Sequence, residues 1–97
     1  MGRAVTFIGA FDNYHCSFPF RAVGSANVKV GGIGVSRQGD NNTGHLLPGA
    51  PCPSHAAPIA IGSLKVKVNG RGCGRMFDSV GPGCTFVAQG HPKVFAG

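Results

Sequence analysis

The 97-residue sequence predicts a small all-β fold in a single domain, residues 1–97, built from three copies of one β-hairpin. Three observations predict it: an ungapped internal repeat, strict two-residue alternation within each copy, and glycine-bearing turn pairs between the alternating runs. No stretch carries the apolar spacing of a capped helix.

Residues 24–40 align without a gap on residues 62–78. Gly24-Ser25 matches Gly62-Ser63, Val28-Lys29-Val30 matches Val66-Lys67-Val68, Gly32 matches Gly70, Arg37 matches Arg75 and Asp40 matches Asp78. A third copy reads as divided between the ends: residues 90–97 repeat the first half, and residues 2–12 repeat the second, closing on Phe11-Asp12 as the other copy closes on Phe77-Asp78. Each Val-Lys-Val run alternates apolar with basic, as a half-buried strand requires. Gly31-Gly32 and Asn69-Gly70 supply the positive φ values of a tight two-residue turn. Because the two partial copies sum to one whole, the three units are expected to close around an axis as pseudo-equivalents; the competing arrangement is an open antiparallel sheet.

So small a domain buries only about 60–65% of its unfolded surface. Seventeen Gly, one Tyr and no Trp weaken the core further. Staples are therefore expected, and four Cys and four His are the candidates. The Met1–Gly9 segment lacks the apolar stretch and cleavage site of a secretion leader, and no run is long enough to span a bilayer. A chain folding in reducing cytosol favours a metal over two disulfides.

The ligand types fall between the repeats. Beyond Asp12 lie His15 and Cys16, beyond Asp40 lies His45, and beyond Asp78 lies Cys84, while the long connection 41–57 adds Cys52 and His55. If three hairpins surround an axis, these loops meet at one end. A closed tetrahedral zinc site drawing on every loop would use His15, His45, His55 and Cys84, with Cys52 and Cys16 as alternates. Such a site contributes on the order of 10 kcal/mol, comparable to the stability of the whole domain. Cys73 stands where the other copy has Val35 and reads as a buried small hydrophobe, and His91 replaces the serines of the other copies at a turn.

The net charge of +6 comes from nine Lys and Arg against three acids, with the basic residues scattered from Arg3 to Lys93. Nucleic-acid modules gather such charge on one stripe, so none is expected as a partner, nor is a small-molecule substrate. A catalytic zinc needs an open position and usually a carboxylate base. The chain has no Glu, its three Asp close repeat units, and a Cys84–His55 nucleophile would lack an orienting third group. A non-enzymatic role follows. Val28, Val30, Val66, Val68 and Val94 are expected to fill the interior or face a partner, and Lys29, Lys65, Lys67 and Lys93 to lie at the surface.

The frame Gly-Ser-x-x-Val-x-Val-x-Gly followed by Gly-x-x-Arg-x-x-Asp resembles the PAAR repeat. Its namesake segment reads here Gly34-Val35-Ser36-Arg37 and Gly72-Cys73-Gly74-Arg75, with only the arginines retained. The resemblance covers nearly the whole chain and extends to the small stand-alone spike-tip proteins of T4-like phages. It implies a cone with a pseudo-threefold base and an apex holding one ion, zinc or iron, on three His and one Cys, in agreement with His15, His45, His55 and Cys84. It further implies a piercing tip of a contractile injection machine. One such tip caps a trimeric β-helical spike in the baseplate of a virion and meets the target outer membrane on injection. The alternative role is an adaptor that sharpens a type VI secretion spike and recruits effectors.

Overall fold

The computed structural model describes residues 2–13, 19–43, 45–46, 54–81 and 85–97. Among the described residues there is no helix, and ten two-residue strands form five antiparallel pairs. The strands are β1 (Arg3–Ala4), β2 (Lys29–Val30), β3 (Ile33–Gly34), β4 (His45–Leu46) and β5 (Ser54–His55), then β6 (Lys67–Val68), β7 (Arg71–Gly72), β8 (Ser79–Val80), β9 (Thr85–Phe86) and β10 (Phe95–Ala96). The protein is small, all-β, and elongated, with extents of 38 × 23 × 23 Å.

Three of the pairs fall in the segments that the sequence alignment marks as repeats, two as hairpins and one between the first and last strands. In β2–β3, Val30 faces Ile33; in β6–β7, Val68 faces Arg71; in β1–β10, Ala96 faces Arg3. The turns are those the sequence predicts. Gly31 and Gly32 have φ of 55° and 81°, and Asn69 and Gly70 have 54° and 78°, so both central residues of each turn are left-handed.

Each strand is short because its path soon leaves its hairpin partner for a neighbouring unit. The hydrogen bonds that result come in sets of three. Thr6 N–H donates to Gly74 C=O (3.0 Å), Gly74 N–H to Ser36 C=O (2.9 Å), and Ser36 N–H to Thr6 C=O (3.2 Å), which closes a ring. A second set runs Ile8 to Gly34, Gln38 to Gly72 and Met76 to Ala4. A third runs Ala22 to Asn41, Ala60 to Ser79 and Ala88 to Phe11. Among the described residues, the first, middle and last segments of the chain are thus hydrogen-bonded to one another at these levels. Gly74 is required in the ring: a Cβ there would lie 2.5 Å from the Ser36 carbonyl oxygen and 2.7 Å from Ile59 Cδ1.

The phase of the divided copy differs from the sequence alignment. Asp40 N–H donates to Arg37 C=O and Asp78 N–H to Arg75 C=O, and the matching bond is Ala10 N–H to Phe7 C=O. Gly9, Gly39 and Phe77 share positive φ at the preceding position, 91°, 89° and 69°. Ala10, not Asp12, therefore holds the place of Asp40 and Asp78. The Phe11-Asp12 match is displaced by two residues, and Asp12 corresponds to Asn42 instead.

Two apolar clusters lie along the molecule. Val5, Val30, Val35, Val68, Cys73 and Ala96 gather among the hairpins. Ala57, Ile59, Val80 and Val87 gather nearer the inter-repeat connections. Cys73 is buried beside Val35, as its alignment with that residue predicts.

Candidate metal centre and the hairpin face

Three connections, termed excursions, run between Asp12 and Pro19, between Asn42 and Ala57, and between Val80 and Thr85 in the sequence. Their stems are tied to one another. Asn13 N–H donates to Phe86 C=O (2.8 Å), Thr43 N–H to Phe20 C=O (2.7 Å), and Gly81 N–H to Pro58 C=O (2.9 Å). The Thr85 hydroxyl donates to Asn13 C=O at 3.0 Å. The described residues that flank the three excursions are therefore joined to one another.

Within the middle excursion, β4 and β5 pair antiparallel with His45 directly opposite His55. Opposed residues of such a pair have Cα atoms about 4.5–5.5 Å apart. Two of the four sequence-predicted ligand positions are thus adjacent in the backbone although nine residues separate them in the sequence. His15 and Cys84, and the alternates Cys16 and Cys52, lie outside the described residues. Among the described residues no group of three or more His, Cys, Asp or Glu is assembled as a metal cluster.

A buried polar knot holds the stems together, and sequence reasoning missed it. Arg21 Nη2 donates to Asp12 Oδ2 at 2.7 Å, with both side chains wholly buried. Asn42 Nδ2 donates to the same oxygen at 2.9 Å, and Asn42 Oδ1 accepts from Ala57 N–H at 2.8 Å. Arg21 Nη1 also donates to Asp40 C=O at 3.1 Å. The first and middle excursions are joined at their roots by these five residues. No spacing rule connects Arg21 with Asp12 or Asn42, so only the fold reveals the set.

The other two aspartates are closed by their own repeats. Arg37 grips Asp40 through Nε (2.7 Å) and Nη2 (3.1 Å), and Arg75 grips Asp78 through Nε (3.1 Å) and Nη2 (2.8 Å). Each carboxylate also accepts the N–H of its own arginine, a turn-closing bond. Arg71 and Arg3 add second ion pairs to Asp40 and Asp78. All five arginines pair with the three aspartates, which are 0–3% exposed. The four lysines remain at the surface, as expected, and no ion pair among the described residues includes one.

The hairpin end carries an open apolar cavity of about 240 Å³, with Val28, Val30, Val66, Val68, Val94 and Ala96 in its wall. Val30 and Val68 are buried, whereas Val28 and Val66 line the cavity while remaining 40% and 39% exposed. Cys73 also lines it, and burial pushes its thiol pKa up, with nearby Asp78 adding to the rise and Arg75 opposing it. The thiol is neutral at pH 7 and a poor nucleophile. His91 stands apart from the excursions; its Nδ1 accepts the Lys93 N–H at 3.1 Å, a local turn bond.

Compared with known proteins, the chain matches no protein-family model and no curated protein.

Proposed function

We propose that this chain is a mechanical tip: a metal-closed cone of three pseudo-equivalent hairpin units that caps the end of a trimeric β-helical spike in a contractile injection machine, as the PAAR-like repeat frame implies. The observation that carries the reading is the ring of hydrogen bonds through Thr6, Gly74 and Ser36. One asymmetric chain can seat on three identical spike chains only by offering three similar edges. A closed set of bonds, repeated at several levels, is what such a chain requires.

In this reading the hairpin end is the base and the excursions form the apex. The His45–His55 register and the linked stems support an ion held by His15, His45, His55 and Cys84. The donor set of three imidazoles and one thiolate suits zinc in a closed structural site. The ion would supply stability and a rigid point, with no open position for catalysis. The protein would reside at the tip of the virion baseplate spike, meeting the target outer membrane when the sheath contracts.

The capping geometry is tested by mixing the protein with a trimeric spike fragment and weighing the complex. One tip per three spike chains is expected. Three tips per trimer would refute the capping geometry.

A further inference from the structure

The three side-chain carboxylates of the chain are all buried and all held by arginine, so no acidic side chain is left to balance the surface lysines. Those lysines are confined to one part of the molecule. Lys29 lies in β2, Lys67 in β6, Lys65 just before β6, and Lys93 just before β10, and all four are exposed. They flank the same hairpins whose valines line the open apolar cavity. The arrangement is an apolar hollow bordered by ammonium groups.

Resting on the reading that this end is the docking face, we propose that the spike surface it meets is acidic around an apolar centre. Carboxylates of the partner would face Lys29, Lys65, Lys67 and Lys93, and aliphatic side chains would enter the cavity. A protein face suits these features better than a polyphosphate does. The planar guanidinium forks that grip phosphate are committed to internal aspartates, and an apolar hollow offers nothing to a phosphate backbone. The two features divide the work. Rim charges steer encounter and set its salt dependence, whereas apolar contact in the centre sets residence time.

The test is the association rate of the intact protein with the trimeric spike protein, followed between about 0.01 M and 1 M salt, where the Debye length falls from about 30 Å to about 3 Å. The rate is expected to fall by at least about tenfold across that range. The combined Lys29→Gln, Lys65→Gln, Lys67→Gln and Lys93→Gln variant is expected to associate slowly at every salt concentration, still forming the one-to-three complex. A Val66→Asp variant is expected to shorten residence without abolishing the salt dependence. A wild-type rate independent of salt, or a quadruple variant as fast as wild type, overturns the acidic partner face alone and leaves the cap intact. Absence of any association with the spike overturns both readings. Binding to phosphatidylglycerol vesicles in place of the spike would assign the face to a membrane and overturn the protein partner.

Discussion

Arg21 and Asp12 form a wholly buried ion pair of 2.7 Å that bridges the beginning and end of the first excursion, and the shared Asn42 ties it to the second. Removing one partner leaves the other charge in a site with no access to water, which costs about 3–5 kcal/mol. Asp12→Ala is therefore expected to lower the urea midpoint strongly. Arg3→Ala is the comparison, since Arg3 is 39% exposed and its partner Asp78 keeps Arg75. That change should cost under about 1 kcal/mol. Equal losses from the two substitutions would mean that the knot does not hold the stems.

Metal loading gives the second expectation. Protein made in zinc-replete medium should contain one zinc per chain by elemental analysis. His45→Ala and His55→Ala should each strip it, because the β4–β5 register sets both positions against one another. Cys73→Ser should retain it, since that thiol lies in the hairpin core. Loss of an ion worth on the order of 10 kcal/mol would leave a domain of this size at or below the limit of stability. Full occupancy in the double His45→Ala, His55→Ala variant would place the ion elsewhere.

What could be read from the sequence was local. The Val-Lys-Val alternation and the Gly31-Gly32 and Asn69-Gly70 turns depend on adjacent residues, and those hairpins stand where predicted. The ring through Thr6, Gly74 and Ser36 joins residues far apart in the chain, and no local pattern announces such bonds. The divided copy was misphased because Phe11-Asp12 imitates Phe77-Asp78 while the backbone places Ala10 at that level. The charges were the least legible. Arg37–Asp40 and Arg75–Asp78 share a three-residue spacing that could have been read as a pair, but Arg21 reaches Asp12 across an excursion.

The ring makes a third expectation about Gly74. Its missing Cβ would press on the Ser36 carbonyl and on Ile59, neither of which is the free end of a flexible surface chain. Gly74→Ala is expected to cost about 1–3 kcal/mol or more through overpacking. Gly70→Ala has open space around it but a φ of 78°, so it should cost only the left-handed backbone penalty of about 1–2 kcal/mol. Thermal unfolding of the two variants separates the causes. A milder effect at Gly74 than at Gly70 would show that the ring has slack.

Cys73 links the hairpin core to pH. Burial, reinforced by Asp78, raises its thiol pKa above that of the unfolded chain. A group raised on folding adds stability that is complete below its unfolded pKa and is lost as pH rises through the folded one. The unfolded thiol ionises near about 8.5, so wild-type stability should begin to fall above that pH as the unfolded state gains a thiolate that the folded state resists. Cys73→Val replaces the thiol by the residue found at the equivalent positions 5 and 35 and has nothing to ionise. The two proteins should differ little in pH response between about pH 6 and 8, and their stabilities should diverge in the alkaline range, with the valine variant the less sensitive. Parallel denaturation curves at both ends of the range would show that the thiol is as free to ionise in the fold as outside it.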